Sequence, residues 1–281
     1  MFVDLHIHSQ YSDGTLSPEE IIEKSKAQDI SLISICDHNL IDAYNELEVL
    51  CTANDIKFIN GVEIHAVMDD MEYHILAYDF DMQNKELSKL LKYNRNVLLN
   101  YGKKVITKTS ENYPNISVEE LSKYERNRKN GGWESLDYLK SKNIIEGLPD
   151  YLNLLREYKL PFDTDFLSPE EVIGIIHAAG GYAVLAHLGD TLGQNLEVCE
   201  DNAVKFLSMG IDGFECYYPS HTEEITEFLA QLCREHDLMI TAGSDEHGGF
   251  NNFEGGSKFY IGAVKIKAEQ LDLKRLIDRV K

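Results

Sequence analysis

Ten histidines are spread along the chain, and six of them stand at or beside short apolar runs in the company of carboxylates. His6 and His8 close the run Val3-Asp4-Leu5-His6-Ile7-His8, and Asp13 follows in the next loop. Further on come Asp37-His38, Val62-Glu63, His74, His187 and the stretch Ser244-Asp245-Glu246-His247. Side chains two apart on a strand point to the same side, so His6 with His8, and Asp245 with His247, can each aim two donors at one place. Six imidazoles and three carboxylates do not share a pocket stably as free titrating groups. Cations would hold them: nitrogen and carboxylate donors suit Zn, Mn or Fe, and a carboxylate such as Glu63 can bridge two ions. Nine donors are too many for one ion and suffice for two or three, with positions left for water and substrate. The chemistry this implies is metal-assisted hydrolysis.

The elements around these residues must bring them to one place. Val3 to His8, Ser31 to Asp37, Phe58 to Ile64 and Tyr73 to Tyr78 read as strands. Ser17-Pro18-Glu19-Glu20 opens a helix with Ser17 as N-cap and Glu20 closing a capping box. Asn39 to Cys51 has helical spacing. After Asp81 the strand signals stop. Residues 84–165 are rich in Lys, Asn, Leu and Tyr and read as helices, the first over Asn84 to Thr109. The alternation resumes with Ser168-Pro169-Glu170-Glu171, a second capping box whose helix runs to Ala179. Strands are expected at Tyr182 to His187, Gly213 to Tyr217, Leu238 to Ala242 and near Tyr260 to Val264. Helices are expected at Leu196 to Met209, Thr222 to His236 and Gln270 to Val280. Strands alternating with helices predict βαβ units and a parallel sheet. The reading is therefore an α/β chain with one barrel formed by 1–83 and 166–281, interrupted by a helical insertion at 84–165. In a parallel barrel the strand ends meet on one face, where barrel enzymes place their chemistry.

Composition narrows the function classes. In 281 residues there are 27 basic and 48 acidic side chains, a net charge of −21. Proteins that track long nucleic acid through phosphates usually carry a basic stripe, so no long nucleic acid partner is expected. A short phosphorylated molecule remains compatible, because bound cations reverse the local sign. No apolar run reaches membrane-spanning length, and the N-terminus has neither the basic nor the apolar region of a signal peptide. Five cysteines without a CxxC pair predict free thiols and a cytoplasmic protein.

Taken in order, the motifs resemble the PHP family, named for polymerase and histidinol phosphatase. They are Asp4-Leu5-His6-Ile7-His8-Ser9 with Tyr11-Ser12-Asp13-Gly14, Ile35-Cys36-Asp37-His38-Asn39, Gly61-Val62-Glu63, His74-Ile75-Leu76, Ala186-His187 and Gly243-Ser244-Asp245-Glu246-His247-Gly248. The resemblance implies a distorted (β/α)7 TIM-like barrel with a trinuclear metal centre. One ion would take His6, His8, Glu63 and Asp245. A second would take Glu63, His74 and His187, and a third Asp13, His38 and His247. Asp245 is also expected to be a catalytic residue. Within the family the chain is most similar to the small phosphoesterases that act on nucleoside monophosphates and 3′,5′-bisphosphates. Gly213-Phe214-Glu215 with Tyr218-Pro219-Ser220-His221 resembles their segment near substrate, which makes His221 a candidate for substrate binding and proton transfer.

Two departures stand out. Where relatives often carry Arg-Pro-His in the insertion, this chain has Arg126-Asn127-Arg128-Lys129-Asn130-Gly131-Gly132-Trp133. Arg128 and Lys129 are candidate substrate contacts there. Two readings stand: a phosphate cradle, or a solvated basic turn before a helix. Glu246 occupies a position where an aromatic residue is often found; it either adds negative charge near the ions or points away. Trp133 or a tyrosine is a candidate for stacking a base. His65, His177 and His236 lie outside the pattern, although His65 follows Glu63 by two.

The expected activity is hydrolysis of a phosphate monoester of a small molecule, foremost a nucleotide. It would use two or three divalent ions of Mn, Fe or Zn. Exonucleolytic trimming of short 5′-phosphorylated RNA and hydrolysis of histidinol phosphate keep the site and change the substrate. A metal-stabilised binding domain without turnover is the remaining class; missing ligands would mark it, and all nine positions are filled.

Overall fold

The computed structural model describes residues 1–160, 165–251, 258–274 and 276. Strands β1 (Phe2–Ile7), β2 (Ile30–Ile35), β3 (Lys57–Met68), β4 (Met71–Tyr78), β5 (Tyr182–Leu185), β6 (Gly213–Tyr217), β7 (Met239–Ala242) and β8 (Ile266–Lys267) form one sheet in the order β7-β6-β5-β4-β3-β2-β1-β8. Beyond β7 the chain returns to β1. The Asp245 amide donates to the His6 carbonyl at 2.8 Å and the His8 amide to the Glu246 carbonyl at 2.9 Å, which nearly closes the sheet into a barrel. Val3, Leu5, Leu32, Ile59, Leu76, Tyr78, Val184 and Met239 fill its interior. This is the distorted TIM-like α/β barrel expected.

Two features depart from that reading. The sheet is not wholly parallel: β4 runs antiparallel to both β3 and β5, and β8 is antiparallel to β1. The cause is local. The third strand does not stop at Ile64 but continues to Met68, and Asp69 and Asp70 turn it back with φ of 54° and 61°. Two consecutive positive φ values make the tight hairpin whose twist suits the flanking strands. The second departure is at the end of the chain. Residues 261–264 form a turn, and the last strand is the two-residue β8. The closing helix expected over 270–280 does not begin at 270: residues 270–274 form the end of a 3-10 turn, a bend and a bridge to Ile240, and 275 and 277–280 lie outside the described residues.

Helices cover the outside. α1 (Pro18–Ala27) and α7 (Pro169–Ala178) each begin with both halves of the capping box, Ser17 with Glu20 and Ser168 with Glu171. Each cap contributes about 1 kcal/mol. α2 (Tyr44–Ala53) starts five residues later than its spacing suggests, because Asn39 sits at φ 53° and is held in the hydrogen-bond network of the barrel rim. Between β4 and β5 lie α3 (Lys85–Ser110), α4 (Val118–Leu121), α5 (Glu134–Ser141) and α6 (Leu148–Tyr158) before α7. α3 to α6 build a core of their own from Tyr101, Val105, Ile106, Leu136, Tyr138, Leu139 and Tyr151. After β5 come the short α8 (Leu188–Thr191) and α9 (Leu196–Ser208), and α10 (Glu223–Glu235) links β6 to β7. All five cysteines are buried and unpaired. Among the described residues no helix is long and apolar enough to cross a membrane.

Candidate metal centre

The nine residues singled out by type and spacing converge on one rim. His6 and His8 come from the end of β1, His38 from just past β2, Glu63 from β3, and His187 from just past β5. Asp245 and His247 follow β7. His74 reaches the same rim from the first half of β4 because that strand is reversed: its beginning lies where its neighbours end.

Glu63 is the hub. Its Oε2 lies 3.3 Å from His6 Nε2, 3.1 Å from His8 Nε2 and 3.2 Å from His38 Nδ1. Its Oε1 is 3.0 Å from both His74 Nδ1 and His187 Nε2. Asp245 Oδ1 approaches His6 Nε2 at 3.4 Å and His8 Nε2 at 3.2 Å. Asp13 faces His8, His38 and His247 at 3.4, 3.7 and 3.4 Å.

These separations also suit donors that share a cation. His6 Nε2 and His8 Nε2 point at each other across 3.1 Å. With the two carboxylate oxygens they give five donor–donor edges of 3.1 to 3.4 Å. Four donors about 2.0–2.1 Å from one tetrahedral ion would stand about 3.3–3.4 Å apart. Asp13 Oδ1 and His38 Nδ1 are buried with no hydrogen-bond partner among the described residues, as donors to a cation would be. Donor groups that could hold an ion are His6–His8–Glu63–Asp245, Glu63–His74–His187 and His8–Asp13–His38–His247. These gather the three sets implied by the family resemblance, with His8 touching two.

The electrostatics agree. Burial pushes Glu63 toward neutrality, but His74, His6 and His38 hold its carboxyl well below the usual range. Burial likewise opposes charge on His6, yet Glu63, Glu215 and Asp245 hold that imidazole well above its ordinary value. His74 is lifted against burial to about 10 by Glu63 and Glu72. His38 is pushed down to about 3 by burial. In the metal-free chain, protons supply the positive charge that the carboxylates demand.

Two residues of the rim, both within the segment that resembles one near substrate, carry roles the sequence did not assign. Glu215 on β6 is buried; its Oε1 sits 3.1 Å from His6 Nδ1 and its Oε2 accepts the His187 amide at 2.9 Å. Tyr218 donates to Asp245 Oδ2 at 2.9 Å, leaving Oδ1 to face the imidazoles. Outer partners of this kind set the tautomer and orientation of metal-binding groups. The available signal was a glutamate in the otherwise apolar run Gly213–Tyr217.

His221 does not sit as expected. Its Nε2 accepts the Gly189 amide at 3.1 Å and its Nδ1 donates to the Cys216 carbonyl at 3.1 Å. Both ring nitrogens serve the backbone, so neither is free for a phosphate or a transferred proton. Trp133 packs edge-on against Tyr151 and Phe250, at ring-centre distances of 5.5 and 6.0 Å, instead of forming a free stacking platform.

The basic turn docks on the loop that carries Asp13. Arg126 donates to the carbonyls of Gly132, Gln10 and Ser12, so it pins that loop. Arg128 lies 4.8 Å over the Tyr11 ring, and Lys129 is exposed in the same turn. Gly131, at φ 68°, lets the backbone come close: a Cβ there would stand 2.8 Å from the Asp13 carbonyl and 2.7 Å from Phe250 Cβ. Gly131→Ala is therefore expected to cost about 2 kcal/mol or more through left-handed strain and the clash, read as a lowered urea midpoint.

Glu246 turns away from the cluster. Its Oε1 accepts the Gly248 amide at 3.0 Å, and burial raises its pKa to about 7. The folded chain thus holds a proton that the unfolded chain releases, so this residue costs stability as pH rises from about 4.5 to about 7. Glu246→Gln keeps the Gly248 contact and removes the titration. Its stability relative to the parent should improve by roughly 3 kcal/mol between pH 4.5 and 8. Urea unfolding of chelated protein at the two pH values checks this; a difference that does not change with pH would contradict it.

A barrel rim lined in this way marks a metal-dependent hydrolase. The chain belongs to the PHP domain family, whose model matches residues 4–234. It is 29% identical over 250 residues to a 5′-3′ exoribonuclease of Haemophilus influenzae, covering 87% of this chain and 89% of the relative. It is 26% identical over 261 residues to a 3′,5′-nucleoside bisphosphate phosphatase of Chromobacterium violaceum, covering 87% of each. A crystal structure assigned as a metal-dependent phosphoesterase from Bifidobacterium adolescentis superposes with a TM-score of 0.76 at 25% identity, over 95% of this chain and 98% of the other. With these relatives, the class is that of a metal-dependent phosphoesterase.

Proposed function

We propose that this protein hydrolyses a phosphate monoester on a nucleotide, either a nucleoside 5′-monophosphate or a 3′,5′-bisphosphate. The observation that carries the reading is the donor geometry around Glu63, where five imidazoles and the Asp245 carboxylate meet at separations suited to cations. Two or three ions of Mn, Fe or Zn would be held by His6, His8, Glu63 and Asp245, by Glu63, His74 and His187, and by Asp13, His38 and His247. Such ions, when bound, neutralise phosphoryl oxygens and lower the pKa of an attacking water.

The chain's own residues do the rest. Glu215 and Tyr218 orient His6 and Asp245. Arg126 fixes the loop that presents Asp13, which leaves Arg128 and Lys129 as the cations of that basic turn to meet a second phosphate of the substrate. In this reading 1–83 and 166–281 form the catalytic body, and 84–165 covers it and selects the substrate. The five unpaired cysteines favour a reducing compartment such as the cytoplasm.

A second reading is removal of nucleotides from short 5′-phosphorylated RNA, favoured by the relative from Haemophilus influenzae. The test is phosphate or nucleotide release after reconstitution with Mn²⁺, from adenosine 3′,5′-bisphosphate, AMP, histidinol phosphate and a short 5′-phosphorylated RNA. Asp245→Asn serves as control. Phosphate release from a nucleotide, lost in the control, supports the first reading. Mononucleotides released from RNA at a higher kcat/KM support the second. No turnover by protein shown to carry metal would sink both.

A further inference from the structure

A seventh imidazole lies beside the cluster and needs a role. His65 packs 4.7 Å from His38 and 4.6 Å from His74, ring centre to ring centre, close enough for the three to be taken as ligands of one more ion. Its hydrogen bonds argue otherwise, because backbone groups at both ends fix the direction of the whole chain of bonds. The His65 amide can only donate, and it meets Asn39 Oδ1 at 3.4 Å. That places the Asn39 amide nitrogen against His65 Nδ1, at 2.6 Å. The His65 carbonyl can only accept, and it takes Asn94 Nδ2 at 2.9 Å; the same nitrogen also donates to Asn39 Oδ1 at 2.9 Å. Both asparagine orientations are thus determined.

A neutral imidazole that accepts on Nδ1 carries its proton on Nε2. His65 Nε2 lies 3.2 Å from Glu72 Oε1, within ion-pair range, and an N–H turned to that carboxylate leaves the ring no lone pair for a metal. Glu72 Oε1 also lies 3.4 Å from His74 Nε2. An N–H at that position completes the chain, so a metal ion that displaces the other ring proton would meet His74 Nδ1, which stands 3.0 Å from Glu63 Oε1 and 3.3 Å from His187. The antiparallel pairing of β3 and β4 sets His65 directly opposite His74, and Phe166 stacks on the His65 ring at 5.1 Å.

We propose that Asn94, Asn39, His65 and Glu72 form a directional hydrogen-bond relay that holds His74 in the Nδ1-ligating form, and that His65 is a positioning residue and not a ligand. The inference rests on the reading of His74 as a metal ligand. It also ties α3, through Asn94, to the metal centre.

The test compares His65→Leu, His65→Gln, Glu72→Ala and His74→Ala. Metal content after dialysis and Zn²⁺ affinity by chelator competition are the readouts, with unfolding of the metal-free proteins as the check on fold. A glutamine amide nitrogen stands the same number of bonds from Cα as His Nε2, so it can restore the donor to Glu72. His65→Leu and Glu72→Ala are expected to weaken binding of the ion lost in His74→Ala by about ten- to a hundredfold, and His65→Gln to recover most of it. If His65→Leu does not fold, Glu72→Ala, whose side chain is partly exposed, carries the test. Loss of a whole ion in His65→Gln as well as His65→Leu would make His65 a ligand and overturn the relay. Unchanged affinity in His65→Leu and Glu72→Ala, with the ion still lost in His74→Ala, would overturn the relay and leave the metal reading standing. Unchanged binding in His74→Ala would overturn both.

Discussion

Glu63→Gln is expected to lower phosphate release by about a thousandfold or more and to empty both donor groups that Glu63 joins. The carboxylate touches His6, His8 and His38 through one oxygen and His74 and His187 through the other. An amide keeps the shape but turns one of those oxygens into an NH₂ group, which only donates and carries no charge. Bound ions contribute several kcal/mol of transition-state stabilisation, and about 4 kcal/mol corresponds to roughly a thousandfold in rate. Two measurements decide the case together: metal per chain after gel filtration, and phosphate release at saturating Mn²⁺. The rise in Tm that added metal gives the parent should shrink as well, since a ligand stabilises only in proportion to its affinity for the folded state. A variant with full metal content and a rate within tenfold of the parent would remove Glu63 from the centre of the mechanism.

Glu215→Gln is expected to weaken the ion held by His6, His8, Glu63 and Asp245 by about ten- to a hundredfold, although Glu215 would touch no metal. The reason is the fixed direction of one bond. The His187 amide can only donate, so the glutamine oxygen must face it, as Glu215 Oε2 does now at 2.9 Å. The NH₂ group is then left opposite His6 Nδ1, where a carboxylate oxygen stands at 3.1 Å. To avoid two donors facing each other, His6 must move its proton to Nε2, the nitrogen aimed at His8, Glu63 and Asp245. Both carboxylate oxygens of the parent accept, which is why a buried glutamate suits this place. Chelator competition on the variant, compared with Tyr218→Phe, reads the effect directly. Binding as tight as in the parent would show that the His6 tautomer is set elsewhere.

Much of this site is legible in the sequence because its parts depend on interactions a few residues long. The His6–His8 pair follows from strand alternation, and the two capping boxes at Ser17 and Ser168 follow from spacing within one helical turn. Asn84, Asn195 and Thr222 cap helices whose ends the periodicity marks to within a residue or two. The types and order of the nine donors likewise need no structure to be read.

Other features could be decided only by tertiary structure. The reversal of β4 turns on Asp69 and Asp70, a weaker hairpin signal than Asn-Gly, and it alone explains how His74 reaches the rim and why His65 and Glu72 stand beside it. His221 reads as a free imidazole until the Gly189 amide and the Cys216 carbonyl take both its nitrogens. Arg126 reads as one more charge of the basic turn until three carbonyls claim it. Glu215 reads only as part of a segment resembling one near substrate, without a role of its own, until His6, 209 residues away, is found beside it. Sequence determines which groups can donate, accept or ligate, because that is covalent chemistry. Which lone pairs are already spoken for depends on what the nearly closed barrel brings within hydrogen-bond distance, and that is fixed only when strands far apart in the chain pair.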